Sequence, residues 1–226
     1  MEWAPVLISL KTACMAMFFT FFLGLAAAKW VVSIRRGWIK AIIDGIFTLP
    51  LVLPPTVAGF FLLYIFGIYR PLGRLLLDFF GVKVVFSWGA TVIAAVLISF
   101  PLMYRAALGA FEQADPSQAD AARMLGVSEW KIFTKITVPN ASSGILSGAV
   151  LAFARGIGEF GATAMIAGNI AGKTRTLPLA IYSEVAAGNM DKAGVYVAIL
   201  LVISFAAIVL MNLSGRGKLS RRKRGK

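Results

Sequence analysis

Three short stretches carry residue types whose spacing could do chemistry. GIGEFG, with Gly156, Gly158 and Gly161, has the glycine spacing of a dinucleotide-binding turn, and AGNIAGKT, Ala167 to Thr174, looks like a phosphate-cradling loop. Arg155 and Glu159 stand four apart in an apolar run, where they share a helical face and can form an ion pair. The first turn would need a strand before it, yet a long apolar helix leads into the glycines. The second has Ala167 at the first glycine position, with Gly168 one residue too close to Gly172. We read neither as a cofactor site, so any ATP used must be bound by another chain. The chain has no His and one Cys, and so lacks the side chain most used for proton transfer near neutral pH and for binding zinc or copper. Apart from Glu159, the acids fall in loops or near the ends of apolar runs. That scatter argues against a membrane-embedded enzyme.

The elements that must position these residues are membrane spans. The 226 residues have a mean hydropathy of +0.82 and are 59% hydrophobic, with several apolar runs near the ~20 residues a helix needs to cross a bilayer. The runs lack the period-two alternation of a membrane barrel, which leaves helices as the element that satisfies its own backbone. We expect an all-α integral membrane protein in one domain, residues 1–226. Five spans are placed near Val6 to Ala28, Ile42 to Ile68, Trp88 to Leu108, Ala141 to Met165 and Gly194 to Leu213. The first is read as uncleaved, because it has no basic leading segment and is longer than a signal-peptide core. Cys14 falls inside it as a small hydrophobe.

Lys and Arg set the orientation. Lys29, Arg35, Arg36 and Lys40 follow the first span, Arg105, Arg123, Lys131 and Lys135 follow the third, and a strongly basic tail, 214–226, follows the fifth. The opposite side carries Arg70, Arg74 and Lys83, then Lys173, Arg175 and Lys192. Positive residues stay inside, so the N-terminus is expected outside and the C-terminus in the cytoplasm. The tail directly follows the last span, which reads as an anchor to anionic lipid heads and not as a nucleic-acid arm.

The segment DAARMLGVSEWKIFTKITVP, Asp120 to Pro139, therefore faces the cytoplasm, within a loop placed at 109–139. Asp115 and Pro116 start a helix well, with Gln118 at capping-box spacing, so we expect a helix from Pro116 to about Leu125. Gly126 stops it, Ser128 caps a second short helix carrying Trp130 and Phe133, and Pro139 ends the unit. Ala121 and Ala122 leave room for another protein's surface, while Met124, Leu125 and Trp130 offer apolar anchors. An amphipathic loop resting on the membrane is the alternative.

The order Asp120-Ala121-Ala122, Gly126, Ile136, Val138-Pro139 resembles the Glu-Ala-Ala loop by which permease subunits of binding-protein-dependent ABC importers engage their ATPases. Asp120 stands where Glu is usual, and Val138 where Leu is usual. LPLVLPPTVAGFFLL, Leu49 to Leu63, and GEFGATAMIAGNIAGKTRTLPLAIY, Gly158 to Tyr182, are similar to the molybdate permease family, with tungstate and sulfate permeases as close relatives. The resemblance covers nearly the whole chain. It implies the type I importer membrane domain, a homodimer, two cytoplasmic ATPase subunits that hold ATP and Mg, and one extracytoplasmic oxyanion-binding protein. On this reading Asp120, Ala121, Ala122, Leu125, Gly126, Ile136 and Pro139 form the ATPase-docking loop.

Pro50, Pro54 and Pro55 should kink or break the second span, either to line the path or to shape packing. Arg155, Gly158, Glu159, Gly161 and Thr163 are candidates for the path or its gate, with structural pairing and small-residue packing as the competing explanations. Lys173 and Arg175, with nearby backbone amides, could attract a dianion or meet the binding protein on the outer side. No cofactor, metal or nucleic acid is expected on this chain. A passive anion channel is the rival from another class.

Overall fold

A computed structural model describes residues 2–223, with side chains described through Leu210 and at Leu213. The side chains of the basic tail therefore lie outside the described residues. The helices, in chain order, are α1 (Ala4–Val32), α2 (Gly37–Val52), α3 (Pro55–Phe66), α4 (Pro71–Phe80), α5 (Trp88–Glu112), α6 (Ser117–Met124) and α7 (Glu129–Ile132). After a π-helical turn (Phe133–Thr137) come α8 (Val138–Asn140), α9 (Ser142–Ile157), α10 (Gly161–Ala167), α11 (Leu177–Ala186) and α12 (Met190–Lys223).

Among the described residues, three helices are long and apolar enough to cross a membrane unbroken: α1, α5 and residues 190–210 of α12. The second span is broken, as the prolines led us to expect. Pro54 forces Leu53 into the extended region at ψ 139°, and α3 leaves α2 at 110°. Pro50, by contrast, sits inside α2 without interrupting it. The fourth span was expected to run unbroken from Ala141 to Met165, and it does not. It ends at Ile157 and resumes as α10 at Gly161.

Four apolar clusters hold the described part of the bundle. Helix α1 lies along α5, with small residues such as Ala13, Ala16 and Ala28 letting the backbones approach. Thr12 meets Thr91 at 2.9 Å and Thr20 meets Ser99 at 3.0 Å, all buried. Both pairs are eight residues apart in each helix, so α1 and α5 run parallel. Helix α9 packs against both α5 and α1, burying Ala107, Leu108, Ile145 and Ala149. In another cluster α3 packs on α10 through Ala58, Leu62, Ala162 and Ile166. At the end of the bundle where α1 begins, α11 and α12 close over Val6 through Leu177, Ala180 and Tyr196, and the Leu177 amide donates to Ser9 Oγ at 2.7 Å. Large apolar side chains such as Phe18, Phe60 and Phe205 remain exposed on the bundle's outer faces, an arrangement a bilayer accommodates and water does not.

Candidate functional site

The loop between α5 and α9 begins later than expected, because α5 continues to Glu112. Asp115 starts it by accepting from the Ser117 amide at 2.9 Å and the Ser117 hydroxyl at 2.8 Å. Those bonds hold its carboxyl below the usual carboxylate range. Gln118 makes no capping box; it accepts from Asn140 across the loop at 2.9 Å. Helix α6 then ends as a Schellman motif: the Gly126 amide bonds to Arg123 O, and the Val127 amide bonds to Ala122 O. Gly126 has φ +74°, with open space where a side chain would project. The demand for glycine here is one of backbone conformation, not of room.

Arg123 ties the two short helices together. Its Nε and Nη2 reach both Glu129 oxygens at 2.7 and 3.2 Å, and its Nη1 reaches Asp120 at 2.6 Å. The hydrogen bonds to Arg123 hold the Glu129 carboxyl down, and in return those to Glu129 and Asp120 push the guanidinium up. Ser128 stands at the start of α7, yet its hydroxyl makes no capping bond. Pro139 does not end the unit either. It lacks an amide, the helix widens, and Val138 N–H reaches back five residues to Phe133 O. The chain turns at Ala141 instead, where the 129–140 run meets α9 at 74°.

The loop is seated on the bundle and open on its far side. Ile132 is buried, Phe133 meets Phe111 edge-on, and Lys29 from α1 lies over the Phe133 ring at 4.1 Å and the Trp130 ring at 5.2 Å. Away from the bundle, Met124 and Leu125 are 90% and 83% exposed, and Trp130 is 67% exposed. The alanine pair divides: Ala121 is exposed, whereas Ala122 is buried within the chain, so its small side chain serves the loop's own packing. Asp120 and Pro139 are exposed and Ile136 is half-buried.

The candidates in the spans converge where the two broken spans meet. A side chain on Gly161 would stand 3.0 Å from Pro55 Cβ and 3.2 Å from the Thr56 nitrogen, and one on Gly59 would stand 2.7 Å from Ala162 Cα. Close approach is the reason for these glycines. Glu159 falls in the break itself and is 3% exposed. Its Oε1 accepts the Ala162 amide at 2.8 Å, capping α10, while its Oε2 lies 2.8 Å from Arg155 Nη1 as an ion pair without aligned hydrogen-bond geometry. Thr163 is buried beside them, and Gly158 ends α9 with ordinary backbone angles. Arg155 keeps about a third of its side chain exposed. The arrangement supplies one partly open cation at a discontinuity, oriented by a buried acid.

Lys173 and Arg175 lie in the turn after α10. Lys173 is exposed, and Arg175 donates to Asn169 Oδ1 at 2.9 Å. The amides of residues 173, 174 and 175 all bond to Ile170 O. Those three amides are spent within the turn. Among the described residues, no strand precedes this turn or GIGEFG.

The sequence reading missed the charged contacts of α2. Lys40 pairs with Glu112 at 2.5 Å, and Asp44 accepts from Tyr104 Oη at 3.0 Å and from Arg105 at 2.7 Å. Lys40, Asp44 and Phe47 are spaced i, i+4, i+7, a helical stripe that could have been found.

A helical bundle of unbroken and broken spans, with a clasped two-helix loop projecting from one end, is the architecture of a multi-pass membrane protein. The chain belongs to the family of binding-protein-dependent transport system inner membrane components, whose family model matches residues 20–218. It is 40% identical to the molybdenum transport system permease protein ModB of Escherichia coli K12, over 100% of this chain and 97% of that one. It is 33% identical to ModB of Azotobacter vinelandii, over 96% of each. The fold matches that of the inward-facing MetNI methionine ABC transporter with TM-score 0.72 at 16% identity, covering 96% of this chain and 99% of that one. An alginate ABC importer matches with TM-score 0.78 at 13% identity, over 94% and 78%. The fold is thus that of a type I ABC importer membrane domain.

Proposed function

We propose that this chain forms the path for molybdate in an ABC importer, as one half of a homodimer, driven by ATP and Mg held on two separate cytoplasmic ATPase subunits. The observation that carries the ion assignment is the end-to-end likeness to permeases named for molybdenum transport. One extracytoplasmic binding protein delivers the anion, the N-terminus lies outside, and the α6–α7 loop faces the cytoplasm. The exposed Met124, Leu125 and Trp130 on a rigidly clasped loop fit a surface awaiting a protein partner. ATP-driven closure of the partner dimer would push this loop, and its seating through Lys29, Phe111 and Phe133 would carry the motion into α1 and α5. The meeting of the two broken spans is the gate candidate, with Arg155 as the cation facing a dianion and Glu159 holding its orientation. Lys173 and Arg175 are the outer contacts. Uptake of labelled molybdate, tungstate and sulfate into vesicles holding the full complex tests the assignment. Molybdate should accumulate with ATP and compete out the others; preference for sulfate would overturn it.

A further inference from the structure

Helix α2 is held to the bundle differently from its continuation α3. Its sixteen residues bury none of their number, and its attachment to α5 is concentrated on one stripe. Lys40 binds Glu112, Asp44 binds Tyr104 and Arg105, and Phe47 meets Tyr104 edge-on at 5.2 Å. Its continuation α3, beyond the 110° bend at Pro54, is by contrast locked by close backbone packing onto α10 at Gly59 and Gly161. The Leu53–Pro54 break therefore joins a half-span fixed by close backbone packing to a half-span held by a polar clasp and by the partly buried Ile43 and Phe47, with Phe47 against Trp30, Phe100 and Tyr104. Packed surfaces part at the cost of a cavity, whereas charged groups near an aqueous edge can exchange partners for water. Arg105 and Asp44 are 55% and 28% exposed, so both can rehydrate when separated. Tyr104 is fully buried, and its hydroxyl donates to Asp44. Opening the contact strands that donor, which favours return.

We propose that Asp44 is a positioning residue: its clasp on Tyr104 and Arg105 holds α2 against α5 in one conformation and releases it, about the Pro54 break, in another. The inference rests on the importer reading above, which supplies the ATP-driven change of state. It assigns the moving half of the second span and the residues that time it.

The test uses the full transporter complex in proteoliposomes. Lys40→Cys and Glu112→Cys are introduced in a Cys14→Ser background, which leaves the Asp44 clasp intact, and are probed with a short bismaleimide. Cross-linking should be efficient without nucleotide and fall roughly tenfold when the ATPases are trapped with ATP and vanadate, the shift expected when a charge-assisted contact breaks. In the same background Asp44→Asn should lower cross-linking without nucleotide and raise basal hydrolysis relative to anion-stimulated hydrolysis, and Asp44→Glu should restore both. Equal cross-linking in the two nucleotide states, in a complex that hydrolyses ATP and transports, overturns the clasp while sparing the importer reading. An unsubstituted complex that neither hydrolyses ATP nor transports overturns the importer reading itself. A merely structural Asp44 would lower protein yield in Asp44→Asn with no change in the ratio of basal to stimulated hydrolysis, and that result too overturns the proposal.

Discussion

Two arginine–carboxylate clusters in this chain share a chemistry and differ in setting. Arg123 joins Asp120 and Glu129 in the loop, where all three side chains are about half or more exposed; Arg155 joins Glu159 in the bundle, where the acid is 2% exposed. Exposed pairs contribute little to stability and are screened by salt, whereas removing one partner of a buried pair leaves a charge that has lost water and compensation alike. The comparison separates two jobs. The loop cluster sets the shape of an exposed surface, and the buried cluster holds a break in a span together.

The largest effect should follow from Arg155→Leu, which strands the Glu159 carboxylate in the bundle. We expect a loss of about 3 kcal/mol or failure to assemble, read as a lowered Tm in detergent. Arg155→Leu with Glu159→Gln should recover much of that loss, because the amide oxygen can still accept from Ala162. No recovery would mean that the pair does not act as charge compensation. Next comes Gly59→Val, which drives a side chain into the Ala162 backbone and should cost ~1–3 kcal/mol by the same measurement. An unchanged Tm would show that the two broken spans do not need their close contact.

Arg123→Ala should have the smallest effect. The Tm of the bundle should stay the same, while limited proteolysis near Gly126 quickens and loses its salt dependence. The pH dependence follows from the lowered carboxyls of Glu129 and Asp115, whose ordinary values are 4.5 and 3.8. A depressed folded pKa contributes order that is fully present above the unfolded value and lost as pH falls through the folded one. Protection of the loop should therefore be flat above pH 4.5 and decline below it. Decline beginning near neutrality would contradict the clasp.

How far this was legible in the sequence depended on the residue that made each feature. The break at Pro54 was readable because proline removes a donor and restricts its predecessor wherever it stands. The break at Gly158–Phe160 was not, because glycine in an apolar run reads equally as packing, and Arg155–Glu159 spacing suggested one continuous helix face. Glu159 instead leaves α9 and caps α10. The loop's stop at Gly126 was foreseen from its residue type. The π turn before Pro139 and the inward rotation of Ala122 were not, since both depend on how the loop seats on Lys29, Phe111 and Phe133. The Lys40, Asp44 and Phe47 stripe was visible in the spacing, but its meaning required the partners on α5.

In the proposed importer, the α6–α7 loop transmits ATP hydrolysis on a partner to ion movement through this chain. Gly126→Val tests it most directly. A Cβ there would have open space within 4 Å, but the substitution forces a β-branched residue to φ +74°, a strain of roughly 1–3 kcal/mol confined to an exposed turn. Gly126→Asn, which tolerates that region better, is its control. In proteoliposomes with both ATPases and the molybdate-loaded binding protein, Gly126→Val should lose most molybdate-stimulated hydrolysis while the Tm of the bundle is unchanged, and Gly126→Asn should retain most of it. Full stimulation in the Gly126→Val complex would contradict the claim.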